Sequence, residues 1–440
     1  MKNVAVISLG CDKNRVDTEH MLFGVSRGGY GISDVPDADV IIVNTCAFIE
    51  SARQESIDAI LQCAELKKTG KCKRLIVTGC LPQKYRAELE TELPEVDAFL
   101  GTREYDKILD AISPRAEYAE TACAGEYDFC AAENSGRLLT TYPHLAYVKI
   151  ADGCDNKCTF CAIPSIRGAY MSRPVHDIVR EVRSLVGDGV KEIILVAQDV
   201  TRYGEDIGAS LVSLLTELEK TDVEKIRLLY CYPERVGDEL VSKISGSDKI
   251  AKYIDIPAQH GSDKILKLMN RKTTRARLVE LFKKLHAHGI VVRTTLMVGF
   301  PGETETEFAE LAEFVREARP EYAGILAYSK EDGTAAARLK GHVSKAVKRE
   351  RVNALGEICA ELTRGFCQSL IGKTVTVLYE DIDFDKDMFV GRAEFMSPEV
   401  DGRVYFTARE ANVGDSYEVK ITGCDDYDLY GEVVETNQED

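Results

Sequence analysis

The chain has 440 residues, of which 45% are hydrophobic and 29% are charged, and its net charge is −17. This length is enough for two or three domains, and the acidic balance argues against a surface that binds nucleic acid throughout. No apolar run approaches the roughly 18–20 residues of a membrane helix, and the run from Val4 to Leu9 is shorter than the roughly 7 residues of a signal-peptide core, so we expect a cytoplasmic protein that does not engage a membrane.

The first 110 residues alternate between strand and helix patterns. Three strands of the buried type are predicted, with the sequences VAVISLG, ADVIIVNT and RLIVTG, and a helical stretch follows each of them. This alternation favours a parallel sheet with helices on its faces. We therefore predict an α/β chain that begins with a doubly wound domain over residues 2–114. A linker rich in Ser, Pro, Gly, Ala and acidic residues is predicted over residues 115–139.

Two further domains are predicted after the linker. Six strands with helices between most of them predict a partial (β/α)6 barrel of the TIM type over residues 140–370. Their sequences are AYVKIA, KEIILVAQD, KIRLLYCY, KYIDIPAQ, VVRTTLMVGF and GILAYS. Four short strands separated by Gly and Asp turns then predict a small all-β barrel over residues 371–438. Their sequences are TVTVLYE, FVGRAEF, RVYFTA and SYEVKITG.

Three cysteines are grouped in the stretch GCDNKCTFC, as Cys154, Cys158 and Cys161. They follow the first barrel strand, at the end of the barrel where chemistry collects. Fourteen cysteines in a reducing compartment indicate metal binding or catalysis rather than disulfides. Structural zinc needs four ligands, and no fourth ligand with zinc spacing lies nearby. Three thiolates suit a 4Fe–4S cluster in which one iron keeps an open coordination position.

Three other cysteines share a position relative to the N-terminal strands. Cys11 ends VAVISLGC, Cys46 ends VIIVNTC and Cys80 ends LIVTGC. In a parallel sheet all three lie at one edge, outside the carboxyl ends of the strands, where doubly wound folds bind ligands. Small buried residues would explain any one of them, but their shared position favours a second three-thiolate cluster. The other eight are interpreted as packing residues or exposed thiols: Cys63, Cys72, Cys123, Cys130, Cys231, Cys359, Cys367 and Cys424.

These stretches resemble a known family. GCDNKCTFC and the later GFPGET are similar to the cysteine loop and a glycine-bearing loop of radical S-adenosylmethionine (SAM) enzymes. SLGCDKNRVDTE, NTCAFI and VTGCLPQ resemble the three cysteine blocks of the methylthiotransferases within that group, and the C-terminal barrel resembles their TRAM domain. The resemblance runs essentially from end to end. It implies an auxiliary 4Fe–4S cluster on Cys11, Cys46 and Cys80. It also implies a SAM-binding 4Fe–4S cluster on Cys154, Cys158 and Cys161.

The resemblance also implies a reaction with two SAM molecules. One methylates a sulfur on the auxiliary cluster, and the other yields the 5′-deoxyadenosyl radical that removes a hydrogen from the substrate. A flavodoxin-like or ferredoxin-like protein would donate the electron. Several polar residues lie at the ends of barrel strands, but none is assigned a catalytic role because a lone histidine there is more often structural. They are Gln198, Asp199, Gln259, His260 and Glu303.

Charge separates the two branches of this family, which modify either transfer RNA adenosine or an aspartate of a small-subunit ribosomal protein. Residues 372–440 contain 3 Lys and 3 Arg against 18 Asp and Glu, a net charge of −12. Such a barrel repels RNA and attracts a basic ribosomal protein, so we expect no RNA binding through this domain. The resemblance to the ribosomal-protein branch then implies that the substrate is an aspartate of the twelfth small-subunit protein, modified at its β-carbon. SPEVDG (397–402) also resembles the ribosomal-protein branch, and Asp12 and Lys13 stand where the transfer-RNA branch tends to have Gln and Met.

Two alternatives remain open at the level of sequence. A transfer RNA adenosine methylthiotransferase would need a basic surface elsewhere, for which Arg271, Lys272 and Arg275 are the candidates. A non-catalytic electron carrier with two clusters is the other alternative, although the clusters of ferredoxins have four protein ligands each.

Overall fold

The computed structural model describes residues 2–113 and 136–434. Most of the predicted linker, with Cys123 and Cys130, lies outside the described residues, as do positions 435–438 of the predicted C-terminal domain. The expected fold class is confirmed: a parallel N-terminal sheet, a partial barrel and a closed C-terminal barrel follow one another along the chain. No helix in the described ranges combines the length and the apolar character needed to cross a membrane.

The N-terminal sheet has five parallel strands in the order β2-β1-β3-β4-β5. The strands are β1 (Asn3–Ser8), β2 (Gly31–Ile32), β3 (Val40–Thr45), β4 (Arg74–Gly79) and β5 (Ala98–Leu100). The helices are α1 (Asp12–Arg27), α2 (Glu50–Thr69), α3 (Cys80–Glu92) and α4 (Ile108–Ile112). Alternate residues of the buried strands pack in two separate cores, against α2 and α3 on one face and against α1 and α4 on the other.

The central part is a partial barrel of six parallel strands. It consists of two three-stranded sheets, joined by a bridge between Ile226 and Ile250. The barrel strands are β6 (Leu145–Lys149), β9 (Glu192–Val196), β10 (Lys225–Leu228), β11 (Tyr253–Gln259), β12 (Val291–Val298) and β13 (Tyr322–Ala327). A small antiparallel pair, β7 (Ala151–Asp152) and β8 (Met171–Ser172), follows β6.

Helices cover the outside of this barrel, and their apolar faces form one continuous core with its strands. They are α5 (Ile163–Arg167), α6 (Val175–Gly187), α7 (Leu211–Leu218), α8 (Asp238–Gly246), α9 (Asp263–Leu268), α10 (Arg275–Ala287), α11 (Glu305–Ala318) and α12 (Lys345–Leu370). The long helix α12 leads from the partial barrel to the C-terminal barrel.

The C-terminal barrel is closed by five strands in the order β14-β15-β16-β18-β17. They are β14 (Thr374–Asp383), β15 (Met388–Ala393), β16 (Val404–Thr407), β17 (Ser416–Cys424) and β18 (Leu429–Val433). The sequence analysis predicted four of them and did not identify β18, which pairs with both β16 and β17 and so closes the barrel. This barrel packs against the inner face of the partial barrel, where Tyr253 donates a hydrogen bond to Asp401 at 2.7 Å.

Candidate functional site

The three N-terminal cysteines lie at one edge of the sheet, because β1, β3 and β4 are direct neighbours. Cys11 precedes the first residue of α1, Cys46 is the first residue after β3, and Cys80 opens α3. Gly10, which precedes Cys11, packs closely against Cys46. A Cβ atom on Gly10 would lie 2.7 Å from the Cβ and 3.1 Å from the Sγ of Cys46, so only glycine fits beside that side chain. We call Cys11, Cys46 and Cys80 the N-terminal trio.

Burial and one cation set the electrostatics of the trio. Burial raises the pKa of Cys80 to about 12, while the nearby Arg167 guanidinium lowers it and the thiols of Cys11 and Cys46 raise it further. Burial also raises the pKa of Cys46. Cys46 and Cys80 are therefore protonated in the metal-free chain, and binding of iron by these two thiols must displace protons. Cys11 also raises the pKa of Cys46, so the three thiols lie close enough to interact electrostatically.

The chemistry of this donor set can be tested against the metals that cysteines bind. In the described ranges, no three His, Cys, Asp or Glu side chains converge closely enough to hold a single metal ion. A tetrahedral zinc site requires such convergence, with four ligands on one ion. An iron–sulfur cluster spreads its thiolates over different irons and carries net negative charge, so separated thiols beside a buried cation fit it. Three thiols that follow neighbouring strands are a donor set that such a cluster can use.

The second cysteine set lies on the loop that follows β7 at the carboxyl end of the barrel. The loop starts at Gly153, whose φ is +78°, and a Cβ atom there would lie 2.0 Å from the carbonyl oxygen of Ala169. The next residue, Cys154, donates its backbone N–H to the carbonyl of Gly168 at 3.0 Å. Only glycine can enter the loop this way, which explains the Gly–Cys pair at the start of GCDNKCTFC.

Contacts from other barrel elements hold the middle of this loop. Thr159 donates its backbone N–H to the carbonyl of Met269 at 3.1 Å and accepts from the N–H of Ala336 at 2.8 Å. The Cys158 Sγ atom lies 3.0 Å from the Tyr232 hydroxyl, at hydrogen-bonding distance. Arg271 in turn stacks on the Tyr232 ring at 3.7 Å. These contacts fix the loop against the barrel. We call Cys154, Cys158 and Cys161 the loop trio.

The GFPGET stretch is held by a buried carboxylate. Glu303 accepts hydrogen bonds from the backbone N–H of Gly299 at 2.9 Å, from Arg351 at 2.7 Å and from His260 at 3.2 Å. The His260 Nδ1 accepts from the N–H of Ser262 at 2.9 Å, so Nε2 carries the proton that faces Glu303. Burial raises the pKa of Glu303, but the His260 contact and Arg351 outweigh it and lower the pKa below its usual value. These side chains secure the GFPGET loop.

Two other strand-end residues of the sequence analysis also support the loop trio. Gln198 donates to Asp152 at 2.9 Å, two residues before Cys154, and Asp199 accepts from Asn156 at 2.8 Å within the loop. Gln259 adopts a left-handed φ of +72° where the register of β11 and β12 shifts. The first two residues orient the cysteine loop, and the third marks a bend in its supporting sheet.

A buried network of charges joins the two cysteine trios, and the sequence analysis did not identify it. Arg167, which ends α5, is 1% exposed. Its guanidinium pairs with Asp152 of the central barrel at 3.2 Å and with Asp17 of α1 at 3.0 Å. Lys149 also binds Asp17. The partners lie up to 150 residues apart in the sequence, so no local pattern indicates them.

A cavity of about 490 Å³ opens beside the loop trio, lined by Asp155, Asn156, Lys157, Arg202, Tyr232, Glu234, Arg235, Asn270 and Lys272.

An RNA substrate would need a basic surface, for which Arg271, Lys272 and Arg275 are the candidates from the sequence. Arg271 is buried and stacked on Tyr232, and Arg275 pairs with Glu313 at 3.2 Å. Of the three candidate residues only Lys272 presents an exposed ammonium that forms no ion pair within the described part of the chain. The three do not form a continuous basic surface.

Three protein families match the chain. The radical SAM superfamily matches residues 148–315, the TRAM domain matches residues 371–434, and the uncharacterized protein family UPF0004 matches residues 3–101. Each match covers a part that the structure forms separately: the partial barrel, the closed barrel and the N-terminal sheet.

Close relatives match over almost the whole length. The "ribosomal protein uS12 methylthiotransferase RimO" of Clostridium botulinum is 46% identical over 98% of this chain and 98% of its own. The proteins of the same name from Geotalea uraniireducens and Geobacter sulfurreducens are each 45% identical over 98% of this chain, and over 98% and 99% of their own.

Solved structures share the fold at low sequence identity. A radical SAM methyltransferase, TsrM, from Kitasatospora setae has a TM-score of 0.53 at 13% identity, covering 74% of this chain and 73% of its own. The cobalamin-dependent SAM radical enzyme OxsB has a TM-score of 0.52 at 12% identity, covering 82% of this chain and 56% of its own. At this identity the likeness extends to the fold alone.

Proposed function

The chain belongs to the RimO-type methylthiotransferases, and we propose from this membership that it attaches a methylthio group to the β-carbon of an aspartate in ribosomal protein uS12. It is a transferase of the radical SAM superfamily, which implies a 4Fe–4S cluster and SAM. The observation that carries the proposal is that one cysteine trio lies at the carboxyl end of the N-terminal sheet and another at the carboxyl end of the partial barrel, with Arg167 in contact with both regions. Each trio has one thiol fewer than a four-iron cluster can bind.

Two clusters are proposed, one for each trio. Cys154, Cys158 and Cys161 would hold the cluster that binds SAM, and the N-terminal trio would hold the auxiliary cluster. When bound, the clusters and SAM supply a carbon-centred radical and an activated methylthio sulfur, which acid–base chemistry cannot provide at an sp³ carbon. The protein orients these groups. Gly153 and Thr159 fix the cysteine loop, and α5 connects that loop to the N-terminal trio.

The charge of the C-terminal barrel supports a protein substrate. A net charge of −12 over residues 372–440 favours a basic ribosomal protein and opposes RNA. The transfer RNA alternative is disfavoured because Arg271 is buried and Arg275 is paired with acidic side chains. The electron-carrier alternative is disfavoured because a closed cluster needs a fourth protein ligand at each trio.

The remaining partners follow from the same chemistry. We propose a flavodoxin-like or ferredoxin-like protein as the electron donor. A cavity lined by Asn156, Lys157 and Tyr232 opens beside the Cys158–Tyr232 contact. A substrate that assembles into the ribosome places the enzyme in the cytoplasm.

Anaerobic reconstitution tests the two-cluster proposal directly. We expect about eight irons per chain, since each cluster contributes about four. Changing Cys154, Cys158 and Cys161 to Ala should leave about four irons and abolish SAM cleavage. Changing the N-terminal trio to Ala should also leave about four irons and keep SAM cleavage, but stop methylthiolation.

A matched control changes three buried cysteines outside both trios, Cys63, Cys231 and Cys359, to Ala and should retain about eight irons. The product readout is a gain of roughly 46 Da on uS12, from SCH₃ replacing hydrogen. A gain on transfer RNA with none on uS12 would contradict the proposed substrate. Wild-type protein with only about four irons would contradict the auxiliary cluster.

A further inference from the structure

The side chain of Arg167 crosses from one cysteine trio to the other. Arg167 ends α5, the helix that directly follows the loop trio, six residues after Cys161. Its guanidinium leaves the central barrel and contacts α1 and α3 of the N-terminal sheet. The Nη2 atom donates to the Asn14 side-chain oxygen at 2.6 Å and lies 3.9 Å from the Cys80 Sγ atom. A residue of the radical loop thus reaches a ligand of the other site.

Two carboxylates fix the guanidinium in this position. Asp152, two residues before Cys154, pairs with Nη1 at 3.2 Å, and Asp17 of α1 pairs with Nη2 at 3.0 Å. Both carboxylates and the arginine are at most 3% exposed. A planar guanidinium held on two sides has one orientation, so its contact with Cys80 is set by the framework and not by a flexible side chain.

The Asn14 amide extends the same arrangement to the other strands. Its Oδ1, which accepts from Arg167, lies 3.7 Å from the Cys80 Sγ, and its Nδ2 donates to the carbonyl of Thr45 at 2.9 Å. Thr45 directly precedes Cys46. The guanidinium and the Asn14 amide therefore connect α5 with the strand ends that carry two members of the N-terminal trio.

The contact between Arg167 and the Cys80 sulfur is not needed to balance the buried charges. Arg167 and Lys149 together neutralise Asp17 and Asp152, so the network is complete without Cys80. A network that served only to join two domains would not need a cation in contact with a cysteine sulfur. Beside an anionic cluster, a buried cation stabilises the reduced and more negative state.

We propose that Arg167 is a positioning residue that holds the N-terminal trio at a fixed place relative to the loop trio and supplies the positive charge that sets the reduction potential of the auxiliary cluster. This inference rests on the proposed function, in which the N-terminal trio holds that cluster.

The test compares R167Q and R167K with wild type after anaerobic reconstitution, by iron content and by potentiometric titration followed by electron paramagnetic resonance. We expect R167Q to shift the midpoint potential of the auxiliary cluster to more negative values and leave the radical cluster in place. R167K should restore part of the shift, because it keeps the charge without the two-sided geometry. The control is R227Q, which removes another fully buried arginine, one whose partners are Glu192 and the C-terminal barrel.

A second variant covers the case in which R167Q does not fold. D152N/R167Q removes the opposing charge as well, and the amide oxygen introduced at position 152 still accepts the hydrogen bonds that Gly153 and Gln198 donate to Oδ1 of the native aspartate. Selective loss of the N-terminal cluster, with SAM cleavage retained, would equally support the inference. An unchanged auxiliary potential in a protein with about eight irons would overturn it, and so would equal iron loss at both trios or the same change in R227Q. Wild-type protein with one cluster would instead refute the proposed function itself.

Discussion

Replacing Glu192 with Gln should weaken the junction between the partial barrel and the C-terminal barrel. Glu192, the first residue of β9, is 3% exposed and accepts from Arg227 at 2.8 Å and from Arg392 of β15 at 2.7 Å. Arg392 also pairs with Glu380 of β14. Glu192 therefore pairs with two buried cations from different parts of the chain, and Glu380 shares the second of them.

The pKa of Glu192 gives the magnitude. Burial raises this pKa, but Arg227 and Arg392 outweigh it and lower the pKa from 4.5 to about 2. A difference of about 2.5 units corresponds to about 3 kcal/mol of stability at neutral pH. The glutamine variant also leaves two buried guanidinium groups partly uncompensated, and removal of one partner from such a network costs about 3–5 kcal/mol. We expect a loss of at least about 3 kcal/mol in the free energy of unfolding.

Urea unfolding of the cluster-free protein between pH 7 and pH 2.5 is the assay. Because the folded pKa lies below the unfolded one, the contribution is complete above pH 4.5 and declines as the pH falls towards about 2. Wild type should lose this part of its stability on acidification, and E192Q should lack it at every pH. E224Q, at an exposed position just before β10, is the control and should change stability by less than about 0.5 kcal/mol. A loss below about 1 kcal/mol in E192Q, or equal acid sensitivity of the two proteins, would refute the reasoning.

Three further outcomes are expected. G153A should lose the radical cluster and SAM cleavage while keeping the iron of the N-terminal trio, because its Cβ would lie 2.0 Å from a carbonyl oxygen. The control G189A, at an open position with φ +100°, should keep both clusters. Iron analysis distinguishes the two variants. Y232F should keep its iron but lower the midpoint potential of the radical cluster, since it removes the hydroxyl 3.0 Å from the Cys158 sulfur; an unchanged potential would contradict a hydrogen bond there. Binding of purified uS12 should weaken several-fold between roughly 50 and 500 mM salt, measured by calorimetry, and salt-independent binding would exclude an electrostatic role for the acidic barrel.

The meeting of Cys11, Cys46 and Cys80 was predictable because parallel strands place equivalent residues at one edge. The prediction needed only that each cysteine follow a buried strand, and the strands end at Ser8, Thr45 and Gly79 as the hydrophobic runs indicate. The direct adjacency of β1, β3 and β4 in the sheet was not predicted. The three strands are adjacent because β2 and β5 lie at the edges of the sheet. These edge strands have only two and three residues, and strands this short produce no clear pattern in the sequence.

Other features depend on pairing between distant residues and could not be predicted. The strand β18, LYGEV, has a glycine at its centre and an acidic residue beside it, so it lacks the pattern of an isolated strand; its pairing with β16 and β17 stabilises it. Arg167 is the last residue of an ordinary short helix and is indistinguishable in sequence from a surface arginine. Its partners Asp17 and Asp152 are buried and lie in different parts of the chain, so only the folded structure brings them to the arginine.

The first turn of α1 contacts both the partial barrel and the C-terminal barrel. Asp12 accepts a hydrogen bond from the Tyr230 hydroxyl of the partial barrel at 2.8 Å, and the Lys13 ammonium lies over the same ring at 3.4 Å from its centre. Arg15 pairs with Glu399 of the C-terminal barrel at 2.8 Å. The residue just before this turn is Cys11.

The position of Cys11 therefore depends on contacts from both barrels. Asp12 and Lys13 lie in SLGCDKNRVDTE and Glu399 lies in SPEVDG, two stretches that resemble the ribosomal-protein branch. These two stretches meet at one helix turn in the structure. The pair of Arg15 and Glu399 therefore joins the C-terminal barrel to the helix turn that follows Cys11.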